Sequence, residues 1–400
     1  MAKEQLFKSY VSTAATIIQQ YNGSTPFNDF LKKYFAVNKK YGSRDRKHIS
    51  HLCYCYYRLG HAAKKFPKEE RILVALFLCS QEQNDLLSNL NHEWNEQVNL
   101  PLSEKLLLLN NPFSSNEIFL WQHELSEGID GTAFAASHLI QPDLFLRIRP
   151  GQKEKVLAKL KGHTILFEEY GNDCLALFNA TKIDDILVLN KEAVVQDYSS
   201  QRIAEFLRII KSQIINPKSN IFVWDCCAAS GGKSLLAVDT LDNIDLTVSD
   251  VRPSIIQNLN KRFAEAGIKK YHSFVADLTV QSRITNLPAG RQGPKSEIII
   301  CDVPCSGSGT WGRTPEQLYF FTADKIDYYA NLQKQIIQNV IKHTKKGGYF
   351  LYITCSVFKK ENEAIVEFIL ANAGLQLIKK EVLIGYKKKA DTMFAALFVF

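Results

Sequence analysis

The sequence predicts an α/β protein: a mostly parallel, doubly wound sheet, preceded by a small ferredoxin-like α+β unit and an N-terminal helical unit. Three observations carry this. From about residue 200, short β-rich apolar runs alternate with helical stretches, the pattern of a parallel sheet covered by helices. Between 142 and 198 the signals come in the order β-α-β-β-α-β. Before that, apolar residues recur at helical spacing. At 400 residues the chain exceeds one ordinary core, and three domains are expected, 1–140, 141–200 and 201–400.

Taken in order, residues 3–20 read as a first helix and 43–59 (SRDRKHISHLCYCYYRL) as another. In the second, Ile49, Leu52, Cys53, Tyr56, Tyr57 and Leu59 form one stripe, and Ser43 is placed as the cap. Residues 69–80, 102–109 and 115–125 are further helix candidates. In the middle unit LFLRIRP is a strand and KEKVLAKLKG a helix; TILFEEY and CLALFNA are strands around a GND turn. KIDDILVL is then a short helix and EAVVQD the last strand. RNA-recognition domains share this order, but function does not follow from fold alone. The large sheet's strands are expected at 221–224, 246–249, 273–276, 298–301 and 349–353. NLPAGRQGPKSE (286–297), with two prolines and two glycines, reads as a surface loop.

Composition excludes several classes. Hydrophobic residues make up 46% and charged residues 22%, as in globular chains. No apolar run reaches the ~20 residues of a membrane helix. The N-terminus, MAKEQLFKSY, has no apolar signal core, so a cytoplasmic protein is expected. Nine cysteines fit neither a zinc spacing nor a disulfide framework, and no histidine lies near Cys305 or Cys355 in sequence. No metal is expected, and nothing points beyond a monomer. The net charge of +8 hides an asymmetry: residues 1–71 hold fourteen Lys/Arg against five Asp/Glu, whereas 72–140 hold one against nine. A basic N-terminal face that meets nucleic acid is the sharper reading; an ordinary solvated surface is the plainer one.

The first strand of the large sheet leads into DCCAASGGKS, residues 225–234. Small residues let backbone approach a ligand, and the helix that follows offers free N–H groups. Ala228 and Ala229 stand where a phosphate loop needs its first glycine, so that reading is the weaker one. The next two strands end in Asp250 and Asp277, where such folds hold ribose and base, so an adenosine ligand is expected. The fourth strand runs into IIICDVPC, with Asp302 and Cys305, and the fifth into YITCS, with Cys355. Two thiols and a carboxylate at strand C-termini point to covalent catalysis.

DCCAASGGKS, DVPCSGSGT, YITCS followed by KENEAIVEF, and the terminal DTMFAALFVF resemble, in order, the motifs of the RsmB/Nop-type (Sun/Fmu) RNA cytosine-C5 methyltransferases. VVQDYSSQ (194–201) is similar to the segment before their catalytic domain, and SRDRKHISHLCYCYYRLG to the NusB-like helical domain of bacterial ribosomal RNA members. The resemblance implies a Rossmann-like domain that binds S-adenosylmethionine through Cys227, Ala228, Ala229, Ser230, Gly231, Gly232, Lys233, Asp250, Asp277 and Asp302. Ser230 stands where the family usually has proline, and Ser234 where it has threonine. The resemblance also implies Cys355 as nucleophile and Cys305 as the residue that assists product release.

The chemistry explains why two thiols and an acid would be needed. C5 of cytosine is too weak a nucleophile to take a sulfonium methyl until a thiolate adds to C6. Asp302 would neutralise the ring at N3, and Lys233 would help shape the site. Residues alone leave the order of the thiols open, because DNA cytosine methyltransferases place their nucleophile in a Pro-Cys pair like Pro304–Cys305. The expected activity is C5 methylation of a cytidine in RNA, 16S ribosomal RNA first. A methyltransferase of DNA or protein, or a non-catalytic RNA-binding or ribosome-assembly protein, is the alternative. The Lys387–Lys389 run is a further candidate phosphate contact.

Overall fold

In the computed structural model, which describes residues 2–110, 112–214, 220–280 and 296–400, most of the N-terminal stripes become helices. They are α1 (Ala2–Gln20), α2 (Phe27–Val37), α3 (Ser43–Arg58), α4 (Lys68–Cys79), α5 (Asp85–Leu90), α6 (His92–Glu96), α7 (Leu102–Leu107) and α8 (Gly131–Ser137). The stripe of α3 is buried as its spacing requires, with Ile49, Leu52, Cys53 and Tyr57 all inaccessible. Ser43 is not the cap: Gly42 takes that place, its N–H received by the Asp45 carboxylate at 2.8 Å. The helix expected at 115–125 is instead two short 3₁₀ turns, Ser115–Ile118 and Gln122–Glu124. The reason is alternation: Phe119 and Trp121 are buried while Leu120 between them is exposed.

This helical unit comprises residues 1–123, 130–141 and 310–322. Two of its basic residues belong to its interior. Arg71, 1% exposed, donates to the carbonyls of Ala62, Tyr56 and Gly60. Arg58 donates to those of His138, Ile140 and Gly312. Lys32, Lys33, Lys39, Lys40, Arg44, Arg46 and Lys47 are exposed.

The second unit, residues 124–129, 142–309 and 323–400, holds two sheets. The small one has strands β1 (Leu144–Ile148), β2 (Phe167–Tyr170), β3 (Cys174–Leu177) and β4 (Ala193–Val195), in the order β2-β3-β1-β4 with every pair antiparallel. Helix α9 (Lys153–Gly162) covers one face through Val156 and Leu160. The other face, Phe145, Cys174 and Ala176, is covered by Tyr198 and Ala390. KIDDILVL is not a second helix. It makes a single turn, with Leu187 N–H donating to the Ile183 carbonyl at 2.9 Å, before Asn190 takes a left-handed conformation. One turn already buries Ile183 and Leu187, and a longer helix would leave no length to reach β4.

The large sheet runs β5 (Ile221–Asp225), β6 (Ile244–Asp250), β7 (His272–Val275), β8 (Ser296–Asp302), β9 (Thr344–Thr354), β10 (Gln376–Leu383) and β11 (Met393–Val399). Their spatial order is β10-β11-β9-β8-β5-β6-β7; all pairs are parallel except those of β11. Helices α10 (Tyr198–Gln213), α11 (Gly232–Thr240) and α12 (Pro253–Glu265) pack one face. The chain then passes through α13 (Pro315–Phe320) to α14 (Asp324–Val340) and α15 (Glu363–Asn372), of which α14 and α15 pack the other face. The expected loop 286–297 lies outside the described residues apart from Ser296 and Glu297, which open β8. Strand order reverses between β5 and β8, and ligands of such sheets bind at that reversal. Among the described residues no helix is long and apolar enough to cross a membrane.

Candidate active site

The turn between β5 and α11 is shaped by its small residues. Ala229 and Gly231 both have positive φ, and a Cβ on Gly231 would meet the Phe263 ring at 2.6 Å. Asp250, at the tip of β6, receives the Ala229 N–H at 3.2 Å and the Arg252 guanidinium at 2.9 Å. Burial opposes its charge, but Arg252 and these N–H groups hold its carboxyl below the usual range. Asp277 follows β7, its Oδ1 receiving the N–H and hydroxyl of Thr279, while the Ala276 N–H ties that segment to the Asp250 carbonyl.

Asp225 was quoted within the motif but not singled out, and the structure makes it central. It is fully buried, its Oδ2 takes the Ser234 hydroxyl at 2.5 Å, and its Oδ1 has no hydrogen-bond partner among the described residues. Burial, with the charge of Asp302 added, pushes its carboxyl up to about 7 although the Ser234 hydroxyl pulls the other way. Ser230 is anchored by Arg262, whose guanidinium reaches its carbonyl and its hydroxyl at 3.2 and 3.1 Å.

Lys233, one residue into α11, reaches across to Asp302 at the end of β8, Nζ to Oδ2 3.0 Å, and donates to Ser200 on α10 at 2.9 Å. Burial disfavours its ammonium, but Asp302, Cys355 and Asp225 outweigh burial and raise its pKa. β8 and β9 are parallel neighbours, with Asp302 opposite Ile353, so the loops they release lie side by side. Cys305 Sγ and Cys355 Sγ are 3.2 Å apart, hydrogen-bonding distance rather than a disulfide. That bond, then burial, pushes the Cys305 thiol well above its ordinary range.

Asp225, Asp250 and Asp302 end three neighbouring strands around a small-residue turn, and Asp225 holds an unpartnered oxygen there. Carboxylates in that arrangement suit a ligand that joins ribose hydroxyls to positive charge. Among the described residues no group of three or more His, Cys, Asp or Glu could hold a metal ion.

Residues 212–395 match the family model of the 16S rRNA methyltransferases RsmB/F. Over that segment the chain is similar to this family. The chain is 29% identical over 188 residues to ribosomal RNA small subunit methyltransferase B of Shewanella oneidensis, covering 47% of this chain and 40% of the relative. It is 26% identical over 234 residues to the probable enzyme of the same name in Bacillus subtilis, covering 57% and 49%. The chain thus spans about half or less of these curated relatives' length. Among solved structures, PH0851 matches with a TM-score of 0.69 at 18% identity, covering 98% of both chains. A methyltransferase homolog from Pyrococcus horikoshii gives 0.56 at 18% identity, covering 70% of this chain and 92% of its own. At these identities the structures establish a shared fold.

Proposed function

We propose that this chain transfers a methyl group from S-adenosylmethionine to C5 of a cytidine in RNA, with 16S ribosomal RNA as the substrate. The observation that carries the reading is the pair of thiols 3.2 Å apart at the ends of β8 and β9, beside the Lys233–Asp302 ion pair. Bound between Asp225, Asp250, Asp277 and Asp302, S-adenosylmethionine supplies an electrophilic methyl group. Cys355, reacting and later leaving as its thiolate, adds to C6 and a C6–S bond forms. The Lys233–Asp302 pair gives a proton to ring N3, so the C5=C6 electrons can be used by C5 to take the methyl.

The thiol hydrogen bond supports a timed role for Cys305. While Cys355 is free, its hydrogen bond with Cys305 holds the Cys305 pKa high. Once Cys355 is bonded to C6 that interaction is gone, and Cys305 can lose its proton to solvent. The thiolate then takes the C5 proton, the C5=C6 bond re-forms, the C6–S bond breaks, and N3 returns its proton. Overall one proton is released per methyl, as replacing C–H by C–CH₃ requires.

The strand order of the small sheet supports a ferredoxin-like unit. Because Tyr198 and Ala390 cover one of its faces and α9 the other, its role here is to brace the catalytic fold rather than to stack bases. The helical unit, in this reading NusB-like, offers the exposed lysines and arginines of 32–47 to RNA phosphates. The test is methylation of 16S ribosomal RNA transcripts by the purified chain with S-adenosylmethionine, read by bisulfite sequencing. One protected cytidine is expected. Label that enters DNA or protein instead, or no transfer to any RNA, overturns the reading.

A further inference from the structure

Beneath the two cysteine loops lies a buried polar cluster that the methyl transfer does not itself use. At its centre is Glu361, the first acid of the KENEAIVEF motif, with no solvent exposure. Its Oε2 receives the Ser306 N–H at 2.8 Å and the Gln333 side-chain amide at 3.1 Å, and its Oε1 receives the Ser356 hydroxyl at 2.8 Å. Ser306 follows Cys305 and Ser356 follows Cys355, so one carboxylate is bonded to both loops. Gln333, on α14, also donates to the Pro304 carbonyl at 3.1 Å, so the residues on both sides of Cys305 are held.

The cluster is well supported from below. The Tyr352 hydroxyl lies 2.6 Å from the Glu361 carbonyl and 3.1 Å from Gln333 Oε1. The hydroxyls of Ser306, Ser308 and Ser356 lie 3.1–3.2 Å from one another. A buried carboxylate is costly to keep, and a packed apolar residue would serve stability as well. Its hydrogen bonds run to the neighbours of both thiols, which is where a carboxylate gains over an apolar side chain.

We propose that Glu361 is the positioning residue of the thiol pair: its carboxylate clamps the Cys305 and Cys355 loops in one register and sets the local charge felt by Cys305. The role rests on the two-cysteine reading above. Burial raises the Glu361 pKa itself, while the bonds from Ser306, Ser356 and Gln333 favour its charged form. Its charge adds to the Cys355 hydrogen bond and burial in holding the Cys305 proton. The other titratable groups around that thiol are Tyr329 on α14, Tyr352 on β9 and Cys355, with Lys233 and Asp302 beyond Cys355.

Glu361→Gln keeps the size and removes the charge. In the full chain without RNA, the pH at which iodoacetamide alkylates Cys305, followed by mass spectrometry, should fall by about one pH unit. With RNA and S-adenosylmethionine, the share of protein trapped as a covalent RNA adduct should change several-fold against wild type. Glu361→Ala, which loses the clamp as well, should add a fall in kcat with little change in KM. Unchanged alkylation and adduct share in a folded Glu361→Gln protein, with activity lost only in proportion to unfolding, would make Glu361 merely structural and overturn the proposal. Absence of any adduct in Cys305→Ala would sink the two-cysteine reading instead, and the alkylation profile, which needs no RNA, would still decide the role of Glu361.

Discussion

The loops that carry Cys305 and Cys355 leave neighbouring parallel strands with the same plan, a cysteine followed by a serine, yet they meet different surroundings. Cys305 sits over Glu361 and hydrogen-bonds to the other thiol, and both keep its proton on. Cys355 contributes charge to Lys233, a buried cation already paired with Asp302. Two residues of the same type, 3.2 Å apart, thus meet different charges: Glu361 bears on Cys305, and Cys355 bears on Lys233. A nucleophile gains from a cation and a proton-holding partner from an acid, which is the assignment proposed above.

The largest test of this contrast exchanges nothing but the sulfurs. Cys355→Ala should lower methyl transfer by at least about three orders of magnitude and form no adduct. Cys305→Ala should still add to RNA and accumulate the adduct on a denaturing gel. The opposite pattern would reverse the assignment. Lys233→Met removes the cation on which Cys355 bears. Single-turnover transfer should fall about a hundredfold, while RNA affinity holds. A loss confined to RNA affinity would show that Lys233 serves the substrate rather than the thiol.

The smallest effect concerns how the loops are fastened together. Gly309 closes the Cys305 loop; its N–H donates to the Cys355 carbonyl at 2.8 Å and its carbonyl accepts from Thr392. A Cβ there would fall 1.8 Å from the Thr392 carbonyl oxygen. Gly309→Ala should cost about 2 kcal/mol and lower Tm by about 5 °C, with a modest loss of activity. An unchanged melting curve would mean that the loops are held elsewhere, leaving Glu361 as their main tie.

Much of this was legible in the residues. The β-rich runs found the five parallel strands, and strand tips were read as carrying Asp250, Asp277, Asp302, Cys305 and Cys355. Local periodicity could not foresee β11 inserted antiparallel between β9 and β10, because that order is decided by which edges remain to be covered. It also misread 115–125 and 182–189, where alternate burial and a short connection prevailed over helical spacing. Asp225 and Glu361 went unassigned since an acid in sequence does not reveal that it is fully buried.

The sequence by itself determined the alternation of strands and helices, the motifs and the chemistry those residue types can perform. It carried two cysteines 50 residues apart with nothing local to rank them. Only the tertiary structure set β8 beside β9, brought the thiols to hydrogen-bonding distance, and put Lys233 on one side and Glu361 on the other. The physical reason is range. Propensity and periodicity act over a few residues, whereas the charge and burial that divide two identical thiols come from segments the chain brings together only on folding.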